Sequence, residues 1–167
     1  YKSKVVLMDV GTGSGCIPIA IIKTLKQKNI KTFAIDISKK TLRVAKHNSK
    51  IHNTDIIFLH GNLLEPILTA RDQLFIIPNS TIIITANLPY LTQEQFTAEP
   101  SIHYEPKSAL IADDNGLALY KQLLKQIQSI ISKFLPGQIS LYLEIDPLQA
   151  TPLSNYIKNI FPYAKIN

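Results

Sequence analysis

Short apolar runs rich in β-branched residues alternate, from one end of the chain to the other, with segments whose apolar positions recur every three or four residues. That alternation predicts a mainly parallel, twisted sheet with helices on both faces. KVVLMDV (4 to 10), KTFAIDI (31 to 37), DIIFLHG (55 to 61), STIIITA (80 to 86) and QISLYLEI (138 to 145) read as strands. Helices are expected over 15 to 27 and over 39 to 52, the second with Leu42 and Ala45 turned inward. From Gly116 to Leu135 the positions Tyr120, Leu123, Leu124, Ile127, Ile130, Ile131 and Phe134 form one apolar stripe, and Pro136-Gly137 ends that helix. A last helix is expected over 147 to 161, with Pro147 and Pro152 near its start. The pattern is weaker from Leu64 to Ile77. Leu91 to Asn115 is polar and aperiodic, which predicts either a functional loop or a poorly ordered one.

With 167 residues, 46% of them apolar and 18% charged, the chain is expected to fold as one domain over 1–167 without disulfides or metal. No apolar run reaches the roughly 18 residues needed to cross a bilayer, so no membrane partner is expected. Cys16 is the one cysteine. It has no partner for a disulfide and no ligand cluster for zinc, so it reads as a small core residue in a reducing compartment such as the cytoplasm. His47, His52, His60 and His103 show no ligand spacing. The sequence opens at Tyr1 and stops in YAKIN, as if partway into a strand, which suggests a fragment of a longer protein. A net charge of +6 suits an anionic partner such as ribosomal or transfer RNA, or an acidic protein surface. The lysines at 23, 26, 28, 31, 39, 40, 46 and 50 could equally form a solvated face.

Two stretches carry chemistry. After the first strand comes DVGTGSG, where Gly11, Gly13 and Gly15 lead into a helix. Glycines at such a turn let backbone N–H groups and the helix N-terminus face a nucleotide-like ligand. A dinucleotide fingerprint would need glycine at position 16, where Cys16 stands, and this weakens a nicotinamide reading. Asp36 closes the second strand about 20 residues on, where a carboxylate can accept from ribose hydroxyls. Asp9 is placed near a ligand's amino group. Asn62 and Leu63, after the third strand, can reach its base or form a simple turn.

The other stretch, TANLPYL (85 to 91), ends the fourth strand. Pro89 fixes its own φ and keeps Leu88 out of helical geometry, making a stiff corner. The Asn87 carboxamide oxygen and the Leu88 carbonyl can accept both hydrogens of a planar NH₂ group, and Tyr90 offers it a face. Held in this way, an amide or an adenine N6 is oriented for attack on an electrophilic methyl group.

DVGTGSG, AIDIS, NLPY, EPKSALIADDNGLALYKQLL and LPGQISLYLEI together resemble the HemK/PrmC protein-(glutamine-N5) methyltransferases, over nearly all of the chain. The resemblance implies a Rossmann-like class I α/β fold and S-adenosyl-L-methionine as cofactor. The implied substrate is the glutamine of the Gly-Gly-Gln motif in peptide-chain release factors. It also implies that Gly11, Thr12, Gly13, Ser14 and Gly15 surround the methionine part, that Asp36 meets the ribose and that Leu63 meets the adenine. Asn87, Leu88, Pro89 and Tyr90 match the family's Asn-Pro-Pro-Tyr substrate motif, with Asn87 also bordering the cofactor. Glu105, Pro106, Ala109 and Leu110 match a loop segment of the family.

The chain departs from the family at three places. Leu88 replaces the first proline, Asn62 stands where Asp is common, and Asp146 stands where Gly is usual. The family's N-terminal helical domain and last strands have no counterpart in the sequence. NLPY is also the form seen in enzymes similar to ribosomal RNA adenine-N6 dimethyltransferases, which lack the EPKSAL segment. Adenine-N6 methylation of RNA is thus one alternative, and a silent cofactor-binding domain is another.

Overall fold

The computed structural model describes residues 5–25, 30–70 and 78–167. The chain divides into two compact units, one of residues 1–87 with 126–143 and one of residues 88–125 with 144–167. Lys26, Lys28 and residues 71–77 of the weakly patterned stretch lie outside the described residues.

The first unit is built on a five-stranded, fully parallel sheet of order β3-β2-β1-β4-β5. Its strands are β1 (Val5–Val10), β2 (Ile30–Asp36), β3 (Ile57–His60), β4 (Thr81–Ala86) and β5 (Gln138–Leu143). Val6, Leu7, Met8, Val10, Phe33, Ala34 and Ile35 are buried, as expected of central strands covered on both faces. Helix α1 (Cys16–Leu25) packs on β1 and β2, and α2 (Lys39–Ile51) packs on β2 and β3. Ser38 caps α2 by accepting from the Thr41 N–H at 3.2 Å, and Leu42 and Ala45 are buried as the pattern predicts. A short α3 (Glu65–Thr69) follows β3. The strand order steps outward from β1 through β2 to β3, then returns beside β1 with β4. The carboxyl ends of β1 and β4 therefore flank the topological switch point, where open α/β sheets bind ligands.

The second unit gives the aperiodic stretch a definite structure. It contains α4 (Gln93–Ala98), a 3₁₀ turn at Pro100–Ile102 and α5 (Lys107–Leu110), with Leu91 and Ile111 bridged in parallel. Thr92 and Gln95 form a capping box that starts α4. The amphipathic helix α6 (Ala118–Phe134) begins two residues later than expected, after Gly116, and the boundary between the units falls within it. It stops before Pro136 because Leu135 takes a left-handed φ of 47°. On its stripe, Ile131 is exposed rather than buried. The last helix is in two parts, a 3₁₀ turn at Pro147–Gln149 capped by Asp146 and then α7 (Ala150–Ile160). Residues 164–167 form no strand.

Candidate functional site

In the first unit, β1 runs straight into the glycine loop. Gly11, Gly13 and Gly15 all have positive φ, at 71°, 56° and 80°. At Gly15 a side chain is excluded twice over, because a Cβ there would also sit 3.2 Å from the Ala45 Cβ of α2.

The N–H groups of this loop do not turn outward as the sequence led us to expect. Those of Gly11 and Thr12 both donate to the Ile35 carbonyl, at 2.9 and 3.0 Å, and that of Gly15 donates to the Thr12 carbonyl at 2.9 Å. The Gly13 N–H donates to the Asp36 carboxylate at 3.0 Å. Most of the donors that a pyrophosphate would need are therefore used within the fold. Cys16, at the start of α1, is exposed and is not the core residue expected from its size and type, because the loop delivers α1 with this position outward.

The charge placed beside the loop is negative. Asp9 is buried, and one carboxylate oxygen accepts from the Thr85 hydroxyl of β4 at 2.6 Å. Its other oxygen, Oδ2, has no partner among the described residues, and neither has the buried Thr12 Oγ1. Burial pushes the Asp9 carboxyl above its ordinary value of 3.8; the Thr12 hydroxyl, which is near the carboxylate but makes no hydrogen bond of ordinary geometry to it, and the bonded Thr85 hydroxyl oppose this, and the Asp36 charge adds to it. An incoming cation would satisfy the open oxygen and favour the ionised form.

The raised value has a consequence for the ligand-free protein. A carboxyl whose pKa is raised on folding contributes stability that is full below its ordinary range and is lost as pH rises through the raised value. Asp9→Asn should therefore flatten the fall in melting temperature as pH rises above the ordinary carboxylate range. Thermal melts of both proteins across that range would check it, and parallel curves would remove Asp9 as the cause.

Asp36 lies at the end of β2, half-buried. Besides the Gly13 contact, it accepts from the Ser38 N–H at 2.8 Å. A carboxylate has about four acceptor positions, so two remain for hydroxyl donors. The Asp36 carbonyl accepts from Gly61 N–H at 3.1 Å, joining the end of β3 to the same edge. Leu63 is buried at a φ of 51°, a conformation that costs a leucine of order 1–3 kcal/mol and that gathers at ligand sites. Asn62 is half-buried and its carbonyl accepts from Glu65 N–H at 3.1 Å. Ser14 is exposed, its carbonyl held by Asn48 Nδ2 at 2.9 Å. Asn87 follows Ala86, which pairs with Val10, so Asn87 and Gly11 leave adjacent strands at the same level.

In the second unit, the chain from Leu88 to Leu91 is held on several sides. Leu88 is buried, and its N–H donates to the Tyr120 hydroxyl at 3.2 Å. That hydroxyl lies close to the Glu144 carbonyl and 3.4 Å from the Leu88 carbonyl. The Tyr90 carbonyl accepts from Gln149 Nε2 at 2.7 Å, and the same nitrogen donates to the Asn115 carbonyl at 2.8 Å. Gln149 Oε1 accepts from Asp146 N–H at 3.1 Å, while an Asp146 carboxylate oxygen accepts from Gln95 Nε2 at 2.9 Å. Leu91 exchanges backbone hydrogen bonds with Leu110 and Ala112 at 2.9 and 3.0 Å. Glu105, Pro106 and Ala109 are exposed. Burial, followed by the charges of Glu144 and Asp146 and a hydrogen bond to Glu144, raises the Tyr90 phenol, which therefore stays protonated at neutral pH.

Sequence reasoning missed Thr85, Gly116, Tyr120 and Gln149. For Tyr120 a signal was present, since a phenol inside an apolar stripe must find a hydrogen-bond partner.

The family model for ribosomal protein L11 methyltransferase (PrmA) matches residues 1–97, which contain β1 to β4 and the glycine loop. The chain belongs to this methyltransferase family. It is 36% identical to a release factor glutamine methyltransferase of Enterococcus faecalis, over 96% of this chain and 53% of the relative. It is 27% identical to one of Bacillus anthracis, over 98% of this chain and 54% of the relative. The chain thus spans about half the length of the curated relatives it matches, and the resemblance read from its motifs is borne out along nearly all of it. The N-terminal domain of human METTL16 in complex with SAH superposes with a TM-score of 0.59 at 18% identity, covering 94% of this chain and 52% of that one. This likeness supports the class I methyltransferase fold. Among the described residues no cluster of His, Cys, Asp and Glu could hold a metal, and no helix is long and apolar enough to cross a membrane.

Proposed function

We propose that the protein transfers a methyl group from S-adenosyl-L-methionine to the amide nitrogen of a glutamine in the Gly-Gly-Gln motif of a peptide-chain release factor. The observation that carries the cofactor reading is the pairing of inward-turned loop N–H groups with the buried, half-unpaired Asp9. That combination disfavours a phosphate and suits the cationic end of S-adenosylmethionine. The glycine loop and Asp9 would hold the methionine portion, Asp36 the ribose, and Asn62 and Leu63 the adenine. When bound, the cofactor supplies an electrophilic methyl group.

The chain's own residues handle the acceptor. The Asn87 carboxamide oxygen and the Leu88 carbonyl, one peptide bond apart, each accept one N–H of the substrate amide. These bonds strengthen as the nitrogen becomes positive and hold its lone pair in line. No strong base is needed before attack, because the amide proton becomes acidic only once the nitrogen is alkylated. Tyr90 supplies the face against the amide plane. For the acceptor, support comes from the relatives named for release factors. Their matches cover 96% and 98% of this chain and so extend well beyond residue 97, where the match to the L11 model ends.

The test is peptide mass analysis of a release factor after incubation with the full chain and S-adenosylmethionine, with ribosomal RNA as a second acceptor. One added methyl on the Gly-Gly-Gln glutamine is the expected result. Methyl on RNA adenine would overturn the acceptor, and transfer to neither would overturn the reaction. Release factors and RNA are soluble translation components, so this reading also places the protein in the cytoplasm.

A further inference from the structure

Leu88 creates a problem that its neighbours Asn87 and Pro89 do not solve. Its peptide carries an N–H in a buried position, and a buried N–H without a partner costs about 1–3 kcal/mol. The Tyr120 hydroxyl accepts that N–H at 3.2 Å. A phenol has one proton to give, and two carbonyls lie near it. That of Glu144 is in close contact, while that of Leu88 is 3.4 Å away, so the proton goes to Glu144. The Leu88 carbonyl keeps its lone pairs. Tyr120 is fully buried, and burial, with the charges of Tyr90 and Glu144 against the Leu88 backbone bond, pushes its phenol up to about 12. It therefore remains a protonated, neutral linker at working pH.

We propose that Tyr120 is a positioning residue for methyl transfer: it takes up the Leu88 N–H, gives its proton to the Glu144 carbonyl, and so fixes the peptide plane whose carbonyl accepts the substrate amide. This rests on the glutamine-amide reading above. It makes the roles of residues 88 and 120 interdependent in a way that a purely structural tyrosine would not be. A proline at 88 would have no N–H to satisfy and would fix φ by its ring, so the hydroxyl would lose its task.

The experiment is a double-mutant cycle of Tyr120→Phe and Leu88→Pro in the full chain, reading kcat with a release-factor acceptor, affinity for S-adenosylmethionine, and melting temperature. Tyr120→Phe is expected to lower kcat by about 10- to 100-fold, the range set by unpairing buried backbone groups, with cofactor affinity within a few-fold. In the Leu88→Pro background the same change should cost no more than about 3-fold, since the N–H it served is gone. Equal losses in both backgrounds, or full kcat in Tyr120→Phe, would overturn the proposal. Hydrogen exchange at the Leu88 amide gives a readout that does not depend on the acceptor. Faster exchange in Tyr120→Phe supports the link and unchanged exchange overturns it. Absence of glutamine methylation by the unmodified protein would overturn only the reading on which the proposal rests.

Discussion

Asn87→Ala is expected to reduce methyl transfer by about 10²- to 10³-fold, the usual cost of removing one preorganised group that stabilises developing charge. The protein should remain folded, because Asn87 is exposed and its carboxamide makes no hydrogen bond among the described residues. Exposed positions of this kind change stability by about 0.5 kcal/mol or less. Cofactor affinity should stay within a few-fold, because Asp9, the loop and Asp36 are held by bonds in which the Asn87 side chain takes no part. Single-turnover rates beside calorimetric titration of S-adenosylmethionine would separate the two. Transfer at the unmodified rate would show that the substrate amide is not held at Asn87.

Gly116→Ala should be strongly destabilising for so small a change. Gly116 has a φ of 80°, and a Cβ there would overlap the Tyr90 carbonyl group, with the carbonyl carbon at 2.7 Å, and also Gln149 Nε2. The obstruction is backbone, which cannot swing aside, and the nitrogen it would displace bonds both Tyr90 and Asn115. Left-handed strain of about 1–2 kcal/mol and overpacking of about 1–3 kcal/mol should together lower unfolding free energy by about 3 kcal/mol. Gly13→Ala is the control. It carries similar φ strain, but its nearest obstruction, the Gly11 carbonyl oxygen, is 4.0 Å away, so it should lose about 1 kcal/mol. Denaturant melts of the two variants would check the difference. Equal losses would mean that the 90–116–149 contact relaxes freely.

The central strands β1, β2 and β4 were legible because parallel strands covered on both faces read as apolar runs, and the edge strands β3 and β5, which are only part-buried, because their short runs are still mostly apolar; β2, β4 and β5 lie within a residue or two of their expected limits. The glycine loop and Asp36 were legible as a pair because their spacing is local to one βαβ unit. Where the N–H groups of the loop point was not, because it depends on the Ile35 carbonyl, which only pairing of β2 with β1 brings within reach. The stretch from 91 to 115 looked aperiodic because its helices are too short to show a period, and capping starts one of them. The Leu88 departure read as a looser corner, since sequence alone did not show that a tyrosine 32 residues on would take up the extra N–H.

The bond pattern of the glycine loop bears on how such a domain can be recombined. Residues 11–13 are fastened to Ile35 and Asp36 by three hydrogen bonds, and Asp36 is fastened in turn to the residue after β3. The transplantable piece is therefore not the glycine segment that a sequence comparison would mark. A chimera that exchanges residues 9–15 alone would set foreign N–H groups against a carbonyl and a carboxylate shaped for other ones. One that carries residues 5–36 as a block keeps these donors and acceptors together, and what it must still match outside the block is backbone pairing at the strand edges, the Asp9–Thr85 and Ser14–Asn48 bonds and the close approach of Gly15 to Ala45.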